Sequence, residues 1–373
     1  ENPERVNMMN NSFIQPGISA MEIDTPAIML DMNAAESNIL RMQEFCDENG
    51  IGLRPHTKTN KSPFWAWKQM NAGAIGICCA KSEEAEIMAG AGLPEIMIPN
   101  QIITPVKITR LMAVASTASV IVAVDSGKNV EDLAEASEFF KVDLGVVIEI
   151  NVGLNRCGVE PDSAAKLAEK ITRSKRLRFD GVIGYEGHVV SERDFEVRKA
   201  EATNAMTKLM DAVISIRNSG IPVNIVSAAG TGTYNITGKI EGITEIQPGS
   251  YIFMDGDYLQ VFRDFTPAMT VISTVIARNG NDHAVLDCGL KSISTDRGVP
   301  YAVQPKGVEI LGLSEEHTRV RLSGDAKELR LGDKVQLRPM HGDTTINIHE
   351  NYFGVRNGIL EVVIPIAGRG KFH

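Results

Sequence analysis

A lysine closes the run Arg54-Pro55-His56-Thr57-Lys58, directly after an apolar, strand-like segment, and far down the chain His341 and Asp343 stand two residues apart. An amine at a strand end, desolvated and flanked by cations, has a lowered pKa and attacks aldehydes. An imidazole and a carboxylate two apart project to one face of an extended strand. Together they give a divalent ion two protein ligands and leave its other positions to water and substrate oxygens.

Two further stretches carry the signature of anion binding. Ser227 to Thr233 is a run of small residues containing Gly230, Thr231 and Gly232, and such a turn lets backbone N–H groups approach an anion closely. Gly249, Ser250 and Tyr251 form a second turn downstream. Arg156 follows the apolar stretch Leu144 to Ile150, where an arginine commonly makes a rim salt bridge, and Tyr185 ends the stretch Phe179 to Tyr185, where an aromatic can simply fill a core.

These residues need a scaffold, and the periodicity supplies one. Short apolar segments at Pro26 to Asp31, Gly52 to His56, Ala74 to Cys79, Glu95 to Pro99, Ser119 to Asp125, Leu144 to Ile150, Phe179 to Tyr185 and Asn224 to Ser227 read as strands. Amphipathic stretches between them read as helices, among them Ala34 to Asn49, Ser82 to Ala91, Pro105 to Ser116, Val130 to Phe140, Ser163 to Ser174 and Glu192 to Asn218. Eight strands alternating with helices predict an α/β fold of the (β/α)8 barrel type, whose sites form at the C-terminal ends of the strands.

After about residue 265 the long helices stop. Ala268 to Arg278, His283 to Asp287, Gly307 to Leu313, Thr318 to Leu322, Lys334 to Leu337 and Tyr352 to Arg356 read as strands, and Asn357-Gly358 as a hairpin turn. The expected organisation is an N-terminal extension over 1–25 associated with a β domain, a barrel over 26–265, and the β domain itself, with the His341/Asp343 pair, over 266–373.

Composition narrows the function classes. The 373 residues are 43% hydrophobic and 23% charged, ordinary for a globular enzyme-sized chain. A formal net charge of -9 without a Lys/Arg cluster argues against nucleic acid as a partner. Five cysteines show no CxxC pair, which suits a reducing cytoplasm. Glu1 to Gln15 lack an apolar h-region, and no apolar run reaches the roughly 18 residues of a spanning helix, so neither signal peptide nor membrane anchor is expected.

Taken in order, Asp24-Thr25-Pro26, the lysine motif through Thr59 and Lys61, Gly76-Ile77-Cys78-Cys79, Asn155-Arg156-Cys157-Gly158-Val159, Gly230-Thr231-Gly232, Pro248-Gly249-Ser250-Tyr251 and His341-Gly342-Asp343 resemble the landmarks of one family. It is the fold-type III pyridoxal phosphate enzymes of the D-threonine aldolase and D-serine dehydratase family, and the resemblance covers nearly the whole chain. It implies an alanine racemase-like barrel with Lys58 as the cofactor's Schiff-base partner. It further implies Gly230, Thr231, Gly232, Gly249, Ser250 and Tyr251 around the phosphate, Arg156 beside the phenolic oxygen, and Tyr185 by the pyridine ring. His341 and Asp343 correspond to a metal site, and the carboxylate, where dehydratase-like members carry a cysteine, favours Mn²⁺ or Mg²⁺ and the aldolase branch.

The implied reaction is retro-aldol cleavage of a 3-hydroxy-D-amino acid, with His56 or a metal-bound hydroxide as base, in a head-to-tail homodimer. Dehydration of D-serine or 3-hydroxy-D-aspartate, racemisation and non-catalytic cofactor binding remain the alternatives. One departure stands out: Ala80 follows the paired cysteines where comparable aldolases carry Gln, which leaves the side-chain preference open.

Overall fold

The computed structural model describes residues 15–373. The first fourteen residues of the expected N-terminal extension lie outside that range. The chain divides into two compact units: one made of the segment ending at Asn38 with Ile252–Leu259 and Phe265–Arg369, the other of Ile39–Tyr251 with Gln260–Asp264 and Gly370–His373.

In chain order the first elements are β1 (Ala27–Asp31), α1 (Met32–Asn49), β2 (Gly52–Leu53), α2 (Pro63–Ala72), β3 (Ile77–Cys78), α3 (Ser82–Gly90), β4 (Glu95–Gln101), α4 (Pro105–Ala115), β5 (Ser119–Val124), α5 (Gly127–Phe140) and β6 (Leu144–Glu149). Then come α6 (Ala164–Arg173), β7 (Leu177–Gly184), α7 (Phe195–Asn218), β8 (Ile225–Ala228), α8 (Tyr234–Thr237) and β9 (Glu245–Ile246). Local chemistry sets the helix ends. Pro63 and Pro105 open α2 and α4, Ser126 caps α5 by accepting from Asn129 N–H, and Asp194 caps α7 by accepting from Glu196 and Val197.

The parallel sheet runs β2-β9-β8-β7-β6-β5-β4-β3, and its end strands meet through a parallel bridge between His56 and Cys78, which closes the (β/α)8 barrel. Cys78, Met97, Ile121, Ala123, Val147 and Ile183, with Ile225 against them, form one apolar cluster drawn from six successive strands, as a packed barrel interior requires. Below the lysine loop, Arg54 reaches Glu245 with two hydrogen bonds of 2.9 Å, and Ser227 donates to the same carboxylate at 2.9 Å. That polar layer is buried, with Arg54 Nη1 alone lacking a hydrogen-bond partner within it, and it ties β2 to β9 and β8.

Two corrections to the strand assignment follow. The segment read as the first barrel strand, β1, belongs to the other unit, where Ala27–Leu30 pairs antiparallel with Ile272–Met269 and Ile28–Asp31 runs parallel to Tyr352–Val355. The eighth barrel strand is instead β9, only two residues long. The alternation calls for a helix after β2, and α2 is that helix.

The second unit continues with β10 (Met269–Asn279), β11 (His283–Leu286), β12 (Tyr301–Gln304), β13 (Val308–Leu313), β14 (Thr318–Leu322), β15 (Lys334–Arg338), α9 (Gly342–Ile346), β16 (Asn351–Arg356) and β17 (Ile359–Pro365). Their sheet follows β13-β14-β11-β10-β1-β16-β17, with β15 pairing β10 and β12. Its core gathers Ala20, Ile23, Ala27, Ile272, Val355 and Leu360. Residues 16–25 join it through Gly17 N–H to Leu360 O at 2.8 Å and a bridge from Ser19 to Ile359. Among the described residues no helix is long and apolar enough to cross a membrane.

Candidate active site

Because the barrel strands are parallel, their C-terminal ends share one face. Lys58 follows β2, Arg156 follows β6, Tyr185 follows β7, the turn at Gly230-Thr231-Gly232 follows β8 and the turn at Gly249-Ser250-Tyr251 follows β9. All the barrel residues singled out by the sequence therefore come to the same end.

The lysine loop is held from both sides. His56 N–H donates to Pro248 O at 3.1 Å, and Thr57 N–H to Cys78 O at 2.8 Å. Thr57 Oγ1 donates to Glu84, fully buried, and Lys61 pairs with the same carboxylate at 3.5 Å. Burial pushes the Glu84 carboxyl up, against the pull of Lys61 and Thr57. Lys61 is thus committed, and Lys58, half-buried, is the lysine of this loop left to act on a ligand.

His56 is half-buried with Nδ1 facing the Lys58 N–H at 3.4 Å. Its pKa falls well below the ordinary histidine range, through burial first and then the charges of Lys58, Lys61 and Arg156. The imidazole is neutral. Arg156, exposed, lays its guanidinium over the Tyr185 ring at 5.6 Å, so the two residues form one stacked unit.

The two turns lock into each other. Thr231 Oγ1 accepts from Tyr251 N–H at 3.1 Å, and Gly230 N–H donates to Thr233 Oγ1 at 3.2 Å. The N–H groups of Thr231 and Gly232, both in buried residues, have no internal hydrogen bond among the described residues. Buried donors without a partner are costly unless a ligand takes them, which fits an anion. A Cβ at Gly232 would lie 1.9 Å from Val190 O, so the turn admits only glycine there. Tyr251 is tied down at both ends: its N–H donates to Thr231 Oγ1, and its buried phenol oxygen accepts from Gln69 Nε2 at 2.8 Å.

Sequence reading passed over the carboxylate behind the first turn. Glu186, fully buried next to Tyr185, accepts from Ala229 N–H at 3.2 Å and Thr237 Oγ1 at 2.5 Å, and so supports Ala229 at φ 63. Burial raises its pKa against those hydrogen bonds. Glu149, ending β6, accepts from Gln101 Nε2 at 2.5 Å; burial raises its carboxyl too.

The other unit holds His341 and Asp343. The expectation of an extended strand fails here: His341 is extended (φ -130, ψ 117), but it caps α9, and Asp343 lies in that helix's first turn. Among the described residues no three His, Cys, Asp or Glu side chains converge as a ligand set. What the pair offers is an Asp343 Oδ1 that is buried without a hydrogen-bond partner, two residues from an imidazole. Asp255, buried, accepts from Gly342 N–H at 2.8 Å and Tyr258 N–H at 3.0 Å; burial lifts its pKa to about 6, and Asp343 adds to the lift. Asp296, exposed, is drawn down to about 2, hydrogen bonds from Ser294, His341 and Thr344 outweighing what desolvation it has. Neither Asp255 nor Asp296 sits in a local motif, and both were invisible before folding.

Comparison with known proteins agrees with this layout. The family model for the N-terminal domain of alanine racemase matches residues 30–257, and a serine dehydratase domain model matches 268–355. The chain is 34% identical to the 3-hydroxy-D-aspartate aldolase of Paracoccus denitrificans (strain Pd 1222) and 34% identical to the D-threonine aldolase of an Arthrobacter species, with 95% of both chains covered in each case. The crystal structure of D-threonine aldolase from Filomicrobium marinum superposes with a TM-score of 0.94 at 34% identity, covering 97% of this chain and 100% of that one.

Proposed function

The chain belongs to the fold-type III pyridoxal phosphate enzymes of the D-threonine aldolase and D-serine dehydratase family, and we propose that within it the protein is an aldolase acting on 3-hydroxy-D-amino acids, with D-threonine cleaved to glycine and acetaldehyde. The observation that carries this reading is the buried, unpartnered Oδ1 of Asp343, two residues from His341. A hard oxygen donor with an imidazole suits Mn²⁺ or Mg²⁺ more than the thiolate-loving metals.

Lys58, Arg156, Tyr185, Gly230, Thr231, Gly232, Gly249 and Ser250 would hold pyridoxal phosphate, and His341 with Asp343 would hold the divalent ion. When bound, the cofactor supplies an electron sink for bonds at an amino acid's Cα, and the ion a Lewis acid for a hydroxyl oxygen.

The chain's own groups do the rest. Lys58 Nζ is the amine that would condense with the cofactor's aldehyde, the carbonyl oxygen leaving as water. The unpartnered N–H groups of Thr231 and Gly232 would receive the cofactor's phosphate, and Gly249, packed against His56 and Thr59, would let the second turn contribute. Arg156, fixed by its stacking on Tyr185, keeps a permanent cation where a phenolic oxygen would be ionised. His56 would have to take a proton against three neighbouring cations, with its Nδ1 already engaged. We therefore assign it to orienting the Lys58 backbone rather than to proton transfer. Tyr251 is assigned to joining the two turns.

We further assign the protein to the cytoplasm and to a homodimer; five cysteines without a disulfide support a reducing compartment. Since the relatives include enzymes named for threonine and for 3-hydroxyaspartate, and Ala80 replaces the amide of comparable aldolases, the test is a panel of 3-hydroxy-D- and L-amino acids. Glycine and an aldehyde from D-isomers alone is the expected result. Ammonia and a 2-oxo acid would identify a dehydratase.

A further inference from the structure

We propose that Asp296 is a positioning residue for His341, fixing the imidazole so that Nε2 is the nitrogen offered to a divalent cation; this rests on the reading of His341 and Asp343 as the ion's protein ligands. Asp296 Oδ2 lies 2.6 Å from His341 Nδ1. A carboxylate only accepts at this distance, so Nδ1 is the nitrogen that carries the proton toward it, and in that tautomer the lone pair able to bind a cation is on Nε2. A ligand histidine whose other ring N–H is given to a carboxylate is locked in tautomer and orientation and becomes a stronger donor to metal.

The carboxylate is itself immobilised. Its Oδ1 accepts from Ser294 Oγ at 2.7 Å and from Thr344 Oγ1 at 2.9 Å. Thr345 Oγ1 donates to His341 O at 2.9 Å and accepts Ser294 N–H at 3.2 Å. The segment 294–296, 45 residues away in sequence, is therefore fastened to the turn 341–345 through the imidazole, two threonines and a backbone amide. On the other side of the turn, Asp255 holds Gly342 N–H. Asp296 is committed to the imidazole and Asp255 to two backbone amides, while Asp343 Oδ1 is buried without a partner. Mere stability does not explain the arrangement. The Asp296 side chain is 43% exposed, and an ion pair so open contributes little to folding.

The experiment uses the full-length, cofactor-loaded protein stripped of metal with chelator. Free Mn²⁺ is followed by electron paramagnetic resonance during titration. Asp296→Asn should raise the Mn²⁺ dissociation constant by about 10- to 100-fold while the melting temperature of the stripped protein stays at the wild-type value, and Asp296→Glu should recover part of the affinity. In ¹⁵N-histidine spectra of the stripped wild type, the His341 signal, assigned among seven histidines by its loss in His341→Ala, should report a proton on Nδ1. In Asp296→Asn it should move toward a mixture of tautomers. Wild-type affinity in Asp296→Asn, or an Nε2-protonated His341 in the wild type, overturns the proposal. Unchanged Mn²⁺ binding in His341→Ala overturns instead the reading beneath it, that His341 is a ligand.

Discussion

Gly249 lies directly against His56: a Cβ at position 249 would come within 2.8 Å of the His56 carbonyl oxygen and 2.8 Å of Thr59 Oγ1. The turn after β9 and the lysine loop after β2 are therefore one packed object. Gly249→Ala should push them apart and weaken pyridoxal phosphate binding by about tenfold, near 1.4 kcal/mol, with the barrel still folded. Fluorescence titration of the cofactor-free protein measures this; wild-type affinity would show that the two loops bind independently.

Lys58 and Lys61 are close in sequence but not in circumstance, since Lys61 is paired with buried Glu84. Borohydride treatment of the loaded enzyme should fix the cofactor on the peptide containing Lys58 and leave Lys61 unmodified in the mass spectrum. Lys58→Ala should retain no reducible link and no turnover. A cofactor fixed elsewhere removes Lys58 from its assigned role.

Arg156 touches the Tyr185 ring and is exposed, so its replacement should spare the fold. Arg156→Ala should bind cofactor through the two turns yet lose on the order of 10² in kcat, the scale of a preorganised charge removed from a reacting centre. Steady-state kinetics beside a cofactor titration separate the two effects. Full turnover would make Arg156 a rim residue.

His56 also carries a pH signature. Its folded pKa is depressed, so below about pH 6.5 the unfolded chain binds a proton that the folded chain does not, and stability falls with acid. The loss is absent above that pH and amounts to about 1.4 kcal/mol one unit below it. Urea unfolding at pH 7.5 and 5.5 should show a smaller drop for His56→Gln than for wild type; equal drops would mean the ring takes up its proton in the folded state.

The barrel was legible from the sequence because helical and strand periods alternate over some two hundred residues, and the strand ends then located Lys58, Arg156, Tyr185 and the Gly230 turn. What misled was β1. A short buried strand followed by a helix reads the same whichever sheet takes it, and only pairing with Met269–Ile272 and Tyr352–Val355 decides. The two-residue β9 was too short to register as a period. His341 and Asp343 were visible as a pair, but their local geometry was not, since a five-residue helix opening at Gly342 leaves little signal. Asp296, Asp255 and Glu186 act across long sequence separations, and no local pattern marks them.

The most direct measurement of the proposed reaction follows the Cα hydrogen. D-Threonine deuterated at Cα, incubated with the Mn²⁺-loaded enzyme and sampled early, should give acetaldehyde and an equal amount of glycine that retains the deuterium, because cleavage breaks Cα–Cβ and leaves Cα–H intact. Removal of the ion with EDTA should stop the reaction. Ammonia and 2-oxobutanoate, with the deuterium released to solvent, would contradict the aldolase assignment and with it the role given to Asp343.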